Sequence, residues 1–428
     1  VVRKPASPGH ENAPAVALQS HLDMVPEKNS DVDFDFTKDA IRPERGDGDY
    51  LTAQGTTLGS DNGIGVAAML AVLDADDLEL PPIECLFTID EETGLVGAGN
   101  LGPGLLNAKR LLNLDSEEEG SVYVGCAGGV NSRITVPAQS EAVDGDSVAL
   151  AVKVFGFKGG HSGVDIHLQR ANAVKALVRA VHAAAVDHPV RFATLAGGSA
   201  HNAIPREAEA TIVCPASAKD AVEKAIRDEM AAVAAENRPE PGVSVDVTAV
   251  DAPDRAWDAA SSARILDLLV GLPHGVLAMS HDIPDLVETS ANLATVGVAD
   301  GGLDALVSIR SSVDSAKWAE ARRVQALAQL AGGATELEGD YPGWNPNMDS
   351  ELLGVVKEVH ESELGAAPEI KAIHAGLETG IIGQKYPGMD MISFGPQIEF
   401  PHSPDERVLI PSVGRFWTLL TGVLKKLA

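Results

Sequence analysis

The sequence predicts an α/β fold in which a discontinuous domain, with a mixed sheet between helices, carries a second, α+β domain as an insertion. Several short apolar runs in the first 115 residues are followed by clusters of His, Asp and Glu. Such clusters are typical of the carboxyl ends of strands, where an open α/β sheet builds its functional site. A further cluster, around His402, lies almost at the end of the chain. Because the late cluster supplies the same kinds of side chain as the early clusters, we expect all of them to share one site. We therefore predict one domain formed by residues 1–127 and 345–428, with residues 128–344 inserted.

Periodicity places the early clusters next to regular elements. Strands are predicted at residues 15–20, 83–89 and 110–114, and a buried helix at residues 63–73. The first strand ends at His21, and the other two end ahead of Glu91 and Asp115. Asp61 lies in the turn before the helix. We therefore expect these groups to meet at one edge of the sheet.

The inserted segment has a different pattern. Residues 147–157 alternate as a strand with one face towards solvent, a glycine-rich turn follows, and residues 170–185 have helical spacing. A comparable strand and helix recur at residues 305–311 and 316–330. This recurrence predicts an internal duplication.

Composition and charge argue against several kinds of partner. The chain has 33 Lys and Arg against 62 Asp and Glu, a formal net charge of -29, which argues against nucleic acid and anionic membranes. No apolar run reaches the length of a membrane span, and no signal peptide opens the chain. The three cysteines, Cys85, Cys126 and Cys214, are odd in number and lack zinc-finger spacing, so we expect a reducing, cytoplasmic compartment. The first residues resemble the middle of a sheet, and we expect a segment upstream of Val1.

Five side chains of the clusters predict a dinuclear metal centre: His21, Asp61, Glu92, Asp115 and His402. Two divalent ions bring four positive charges, which three carboxylates and one bridging hydroxide balance. The mixture of nitrogen and oxygen ligands fits two zinc ions best, and manganese or cobalt would also fit. The predicted chemistry is hydrolysis by metal-bound hydroxide.

Two neighbouring carboxylates have predicted roles beside the ions. Asp23, two residues after His21, is placed to orient that imidazole. Glu91 adjoins Glu92 but points elsewhere, so it is the candidate general base. Any one of these clusters alone is more often a solvated turn, whereas five of them, most at predicted strand ends, indicate a site.

The motifs that carry these groups resemble those of the aminoacylase and carboxypeptidase-G type metallopeptidases. The resemblance is closer to the aminoacyl-histidine dipeptidase branch, the cytosolic Xaa-His dipeptidases, and rests on residues 20–25, 59–63, 90–94, 113–117 and 402–407. It implies that Asp61 bridges both metals and is followed by a cis peptide. His21 and Asp115 would complete one metal site, and Glu92 and His402 the other.

The resemblance also implies that the insertion is a lid, through which relatives form homodimers. His161 would polarise the scissile carbonyl, Asn202 and Arg310 would bind the substrate's C-terminal carboxylate, and Glu378 would hold its α-amino group. Without the resemblance, each of these four residues is better explained as an ordinary turn or surface residue. Thr379 stands where the branch has a cysteine, and the N-terminal helical segment of the branch is absent.

These observations predict a zinc metallodipeptidase that cleaves short, unblocked peptides as a cytoplasmic homodimer. One alternative is a sister amidohydrolase that deacylates N-acyl amino acids, against which Glu378 argues because it favours a free amino terminus. The other alternative is a non-catalytic metal- or peptide-binding protein on the same scaffold. The presence of Glu91 and of all five proposed ligands argues against that second alternative.

Overall fold

In the computed structural model, which describes residues 1–428, the chain divides into two compact units. Unit 1 comprises Val1–Cys126 and Trp344–Ala428, and unit 2 comprises Ala127–Gly343. The boundaries between the units, after Cys126 and after Gly343, each lie one residue before the predicted domain boundary. None of the helices is both long enough and apolar enough to cross a membrane.

The strands are β1 (Val2–Lys4), β2 (Val16–His21), β3 (Pro43–Arg45), β4 (Tyr50–Ala53), β5 (Ile83–Thr88), β6 (Arg110–Asn113), β7 (Ser121–Cys126), β8 (Gly128–Val136), β9 (Ser140–Ala142), β10 (Ser147–Phe155), β11 (Gly160–His161), β12 (Arg191–Gly197), β13 (Ala203–Ile204), β14 (Ala208–Pro215), β15 (Ser244–Val250), β16 (Arg255–Trp257), β17 (Gly275–Met279), β18 (Val287–Ala299), β19 (Gly302–Ser311), β20 (Ala334–Tyr341), β21 (Glu369–Ile373), β22 (Asp390–Ser393), β23 (Ile398–Glu399) and β24 (Arg407–Leu409). The α-helices are α1 (Ser60–Asp74), α2 (Val96–Gly99), α3 (Ala173–Asp187), α4 (Lys219–Glu236), α5 (Ala259–Gly271), α6 (Asp314–Leu330), α7 (Glu351–Leu364), α8 (Glu378–Lys385) and α9 (Ile410–Leu427).

Unit 1 is built on a seven-stranded mixed sheet in the order β1-β5-β2-β6-β22-β7-β21. The four strands β5, β2, β6 and β22 are parallel, while β1 and β7 run antiparallel to their neighbours β5 and β22. The central strand β2 is buried along its whole length, as a strand covered on both faces must be. Because the parallel strands end at one edge, the residues that follow β2, β5 and β6 are brought together there.

Helix α1 packs against β2, and Gly65 allows their close approach because it has no side chain. A Cβ on Gly65 would lie 2.5 Å from Ser20 Oγ and 2.7 Å from the carbonyl oxygen of Leu114, so only glycine fits without displacement. The predicted helix is present, but the prediction that it is buried throughout is wrong for one face. Leu70 is 54% exposed, because α1 packs on the sheet along a single side.

A small antiparallel sheet, in the order β23-β24-β4-β3, carries the late cluster. The loop between β23 and β24 contains His402, and β24 pairs with β4. Phe400 and His402 both have left-handed backbone conformations, with φ of 55° and 61°. Such conformations are uncommon for residues other than glycine and persist where surrounding contacts hold them.

Unit 2 is built on a nine-stranded sheet that contains one arrangement twice. Strands follow the order β15-β10-β14-β12-β18-β19-β8-β20, with β17 paired to β18. One β-α-β-β-α-β half consists of β10, α3, β12, β14, α4 and β15, and the other consists of β8, α5, β18, β19, α6 and β20. Strands β12 and β18 join the halves edge to edge.

This topology contains the predicted duplication, but the prediction matched the wrong elements, β10–α3 with β19–α6. The strand and helix β10–α3 correspond to β8–α5, whereas β19–α6 correspond to β14–α4. The first half is inserted between β8 and α5 of the second, so the repeated units are not successive in the sequence. The helices cover one apolar core, to which Leu177, Ile226, Leu269 and Val324 contribute.

Candidate metal centre and active site

Two groups of metal-binding atoms lie on either side of the Asp61 carboxylate. On one side, His21 Nε2 lies 3.1 Å from Asp61 Oδ1 and 3.2 Å from Asp115 Oδ1. On the other side, His402 Nε2 lies 3.3 Å from Asp61 Oδ2 and 3.1 Å from Glu92 Oε2. The five predicted ligands are therefore brought together, with a different oxygen of Asp61 facing each group.

The spacing of these atoms fits metal coordination. Corners of a tetrahedron with ligand bonds of about 2.0–2.1 Å lie about 3.3–3.4 Å apart, close to the separations within each group. Atoms of His21, Asp61 and Glu92 also lie within 4.8 Å of one another. Glu92 Oε1 is buried without a hydrogen-bond partner, as expected of a carboxylate whose partner is an ion.

The turn at the start of α1 presents Asp61 and orients Asp115. The peptide between Asp61 and Asn62 is cis, as the resemblance predicted, and both residues depart from helical geometry. The Asn62 side chain donates hydrogen bonds to the Leu114 carbonyl at 2.8 Å and to the Asp115 carboxylate. Asn62 thus ties α1 to the segment that follows β6.

The two histidines are surrounded by negative charge. Burial alone would lower the pKa of His21, but hydrogen bonds and charges from Asp115 and Asp61 outweigh it and raise the pKa to about 12. Hydrogen bonds to Asp61 and Glu92 raise the pKa of His402 to about 10 against the effect of burial. Burial would raise the pKa of Asp61, yet its two histidine partners hold that pKa below the ordinary value.

The remaining carboxylates repel one another. Burial, reinforced by Asp115 and Glu92, raises the pKa of Glu91 to about 9. Burial and the nearby Asp61 and Asp115 raise the pKa of Glu117 to about 8. Burial also raises the pKa of Asp115 to about 6, against its hydrogen bond with His21. A site with this excess of buried carboxylate suits cations, which would favour the ionised forms.

The groups surround a cavity of about 490 Å³. Its lining includes His21, Asp61, Glu91, Glu92, Asp115, Glu117, Glu118, Gln397 and His402. Glu118 is paired with Lys371 at 2.7 Å and accepts a hydrogen bond from Tyr123, so its charge is balanced. Glu117 was not among the predicted site residues, although it lies only two residues after Asp115, within the motif of residues 113–117.

Asp23 contacts two of the proposed ligands. Its backbone carbonyl lies 2.9 Å from His21 Nδ1, and its carboxylate lies 3.6 Å from the same nitrogen. The other carboxylate oxygen accepts a hydrogen bond from the Glu92 backbone N–H at 3.1 Å. Asp23 is thus placed to orient the His21 ring and also to fix the turn that carries Glu92.

A buried polar network supports the carboxyl ends of the parallel strands. Glu378 is fully buried, and its Oε2 accepts hydrogen bonds from Gln19 and Thr88, both at 2.6 Å. Gln19 accepts from Asn113, which in turn accepts from Ser393. Burial raises the pKa of Glu378 to about 7, against these hydrogen bonds. The structure therefore places Glu378 in this network, while its neighbours Gly376 and Leu377 line the cavity.

In unit 2, His161 and Asn202 lie close together at a two-stranded sheet, whereas Arg310 lies on the nine-stranded sheet. β11, which ends at His161, pairs with β13, and the Ser162 N–H donates to the Asn202 carbonyl at 2.8 Å. Arg310, on β19, is largely buried and donates from Nη1 to Tyr341 Oη at 2.9 Å. Burial and the charge of Arg310 lower the pKa of His161 to about 4.

The proton of the His161 ring has a defined position. Backbone N–H groups of Gly163 and Val164 donate to its Nδ1 at 3.2 and 3.1 Å. A nitrogen that accepts hydrogen bonds carries no proton, so the neutral ring bears its hydrogen on Nε2. His161 is thereby a neutral hydrogen-bond donor.

Comparison with known proteins places this geometry in a family. Residues 17–426 match the family described as Peptidase family M20/M25/M40. The chain belongs to this peptidase family. The prediction of the family and of its α/β fold class is confirmed, and the divalent-metal requirement of M20 metallopeptidases agrees with the two donor groups.

Two relatives of the M20 chain are similar over nearly its whole length. The cytosol non-specific dipeptidase of Escherichia coli (strain K12) is 42% identical over 430 residues, covering 100% of this chain and 88% of the relative. The crystal structure of aminoacylhistidine dipeptidase from Vibrio alginolyticus is 42% identical with a TM-score of 0.93, covering 99% of this chain and 86% of that one. The aminopeptidase PepT structure from Bacillus cereus, 15% identical with a TM-score of 0.52, shares the fold.

Proposed function

We propose that this M20 chain is a dipeptidase with two divalent metal ions, zinc first and manganese or cobalt as substitutes. The observation that carries the proposal is the pair of donor groups that share Asp61. One ion would be held by His21, Asp61 and Asp115, and the other by Asp61, Glu92 and His402. When bound, such ions polarise a carbonyl and lower the pKa of a water molecule between them.

The Glu91 carboxylate is proposed to move the protons. Glu91 lines the same cavity but belongs to neither donor group. A carboxylate oxygen of Glu91 would take a proton from the attacking water and deliver it to the nitrogen of the leaving amine. Without ions, burial raises the pKa of Glu91. Bound cations would favour the ionised carboxylate, which is the form that a general base requires.

Unit 2 is proposed to bind the substrate's polar groups. The Nε2–H of His161 would donate to the carbonyl oxygen as negative charge develops there. Asn202 and Arg310 would bind the C-terminal carboxylate, for which a guanidinium offers a two-pronged contact. Glu378 is kept as the proposed partner of the substrate's amino group. From its buried position it would act as a negative charge beneath the cavity wall.

The substrate class is supported by the relatives. Both proteins at 42% identity are named dipeptidases, one of them non-specific and one acting on aminoacylhistidine. Xaa-His dipeptides are therefore the first substrates to test. The cytosolic name of the Escherichia coli relative supports a cytoplasmic location for this chain.

Metal-loaded protein is expected to hydrolyse free dipeptides and to leave acylated amino acids intact. The test measures turnover of Ala-His, β-Ala-His, Gly-Leu and N-acetyl-Met at equal concentrations. Cleavage of N-acetyl-Met alone would move the assignment to the amidohydrolase alternative. Binding of the dipeptides without turnover would favour the non-catalytic alternative.

Replacing Arg310 with Lys is expected to raise KM for dipeptides about tenfold or more while kcat is largely kept. A lysine cannot reproduce the two-pronged contact, and a hydrogen bond to a charged group contributes about 1.5–3 kcal/mol. Dipeptide amides, which lack the carboxylate, should not distinguish the variant from the parent. Arg133→Lys, on β8 of the same sheet and paired with Asp304 and Glu338, is the matched control.

If Arg310→Lys raises KM equally for dipeptides and for dipeptide amides, the contact with the carboxylate is refuted.

We also propose that the protein is a homodimer, as the resemblance implies. Light scattering of a homodimer should give a molecular mass about twice the chain mass of 44.5 kDa.

A further inference from the structure

We infer that Glu406 is a positioning residue that holds two metal-binding segments in place with one buried carboxylate. The inference rests on the proposed metal centre. Glu406 is 2% exposed and lies four residues after His402, on the loop that leads into β24. It belongs to neither donor group, and its carboxylate points to the start of α1.

The contacts of Glu406 cover the turn that presents Asp61. Its Oε2 accepts hydrogen bonds from the backbone N–H groups of Leu58 at 2.7 Å and Gly59 at 3.0 Å. Its Oε1 accepts from Ser60 N at 2.7 Å, Ser60 Oγ at 2.5 Å and Asp61 N at 3.4 Å. All four backbone donors of the turn therefore converge on one side chain.

These contacts replace the cap that α1 otherwise lacks. Gly59, the residue that precedes the helix, makes no side-chain cap. The first N–H groups of a helix need acceptors, and a negative charge is favourable at that end. Glu406 supplies both from a distant part of the chain, and so fixes the backbone of the carboxylate shared by the two donor groups.

The same residue anchors the loop of His402. The Glu406 N–H donates to the Ser403 carbonyl at 3.0 Å, and its carbonyl accepts from Thr52 Oγ1 at 3.0 Å. His402 has a left-handed backbone, which needs support from its surroundings. One residue thus connects the backbone of Asp61 to the loop that carries His402, although these two ligands are 341 residues apart in sequence.

The chemistry of the contacts requires a carboxylate. Each oxygen of Glu406 accepts from at least two donors, so replacement by Gln would turn an NH₂ group towards N–H groups. The turn would then shift, and the geometry shared by Asp61 and His402 would be lost. Residues that support metal ligands typically contribute about 10–100-fold to metal affinity.

The test compares metal binding by the full-length parent, Glu406→Gln and Glu84→Gln. Glu84 is a matched buried carboxylate at the amino end of β5, away from the metal centre. Its carboxylate accepts hydrogen bonds from the backbone N–H groups of Asn107 and Ala108. Zinc is titrated into metal-free protein by calorimetry, and cobalt by its visible absorption. Both variants should lose thermal stability, but only Glu406→Gln should bind the weaker ion about 10–100-fold less tightly.

Activity provides a second readout. Since Glu406→Gln keeps every ligand and Glu91, excess zinc should restore kcat, with the half-saturating zinc concentration shifted by the same factor. If Glu406→Gln does not fold, the Ser60→Ala variant tests the inference in its place. It removes one hydrogen-bond donor to the Glu406 carboxylate and should weaken zinc binding a few-fold.

The inference is overturned if Glu406→Gln, or Ser60→Ala in its place, binds both ions as the parent does. It is also overturned if Glu84→Gln weakens binding equally. A parent protein that takes up fewer than two ions would instead refute the proposed centre itself, which separates the two failures.

Discussion

Replacing Glu91 with Gln is expected to lower kcat by about 10²–10⁴-fold while two metal ions stay bound. This range is the usual contribution of a positioned general acid or base. Glutamine keeps the size of the side chain but cannot take a proton from water. Because Glu91 lines the cavity outside both donor groups, its loss should leave KM and metal content nearly unchanged. Steady-state kinetics and metal analysis of the same preparation measure both quantities.

Glu118→Gln is the matched control for this prediction. Glu118 lines the same cavity, but its carboxylate is occupied by Lys371 and Tyr123, so its replacement should change kcat far less. A Glu91→Gln variant with parental kcat would exclude Glu91 as the base. A variant that loses an ion would instead identify Glu91 as a ligand.

The ligands could be predicted from the sequence because each follows or adjoins a recognisable element. His21 ends a mostly apolar strand, and Asp115 follows another strand. Strand ends in a parallel sheet share one edge, so their polar residues must be neighbours. His402 lies far from the other ligands in sequence and could be added because its late cluster supplies the same kinds of side chain.

Apart from Asp23, the supporting residues could not be predicted, because their partners lie far away in sequence and no periodic signal marks them. Glu406 looks like one of several surface charges in a loop, and only the fold brings it to the start of α1. Gln19 did carry a signal: it directly follows the apolar run Val16–Leu18 in a fully buried strand, and a buried polar residue needs a partner. Its partner, Glu378, was assigned to the substrate's amino group through the resemblance, and neither its burial nor its contact with Gln19 could be predicted from the sequence.

Helix α1 and unit 2 show two further limits. Small apolar residues on all sides predicted a buried helix, yet alanine and leucine are also tolerated on an exposed face, as at Leu70. In unit 2, one repeat interrupts the other, so the strand β8 is separated from its helix α5 by the whole first half. Comparison of successive segments cannot detect such an arrangement.

Replacing Asp61 with Asn is expected to impair both metal sites at once. The two oxygens of Asp61 face different donor groups, 3.1 Å from His21 Nε2 and 3.3 Å from His402 Nε2. Asparagine offers one carbonyl oxygen and no charge, so the variant should bind at most one ion at zinc concentrations that fill both sites of the parent. Because bound ions contribute several kcal/mol to transition-state stabilisation, kcat/KM should fall by at least about 10³-fold.

Asp115→Asn is the informative comparison, since Asp115 contacts only the His21 group. That variant should weaken one site and leave the ion beside His402 and Glu92 bound. A chelator should inactivate the parent, and added zinc should restore it, whereas Asp61→Asn should stay inactive after the same treatment. If the two variants lose the same single ion, Asp61 does not connect the sites. The two donor groups would then act as independent sites, and the mechanism that depends on their shared carboxylate would fail.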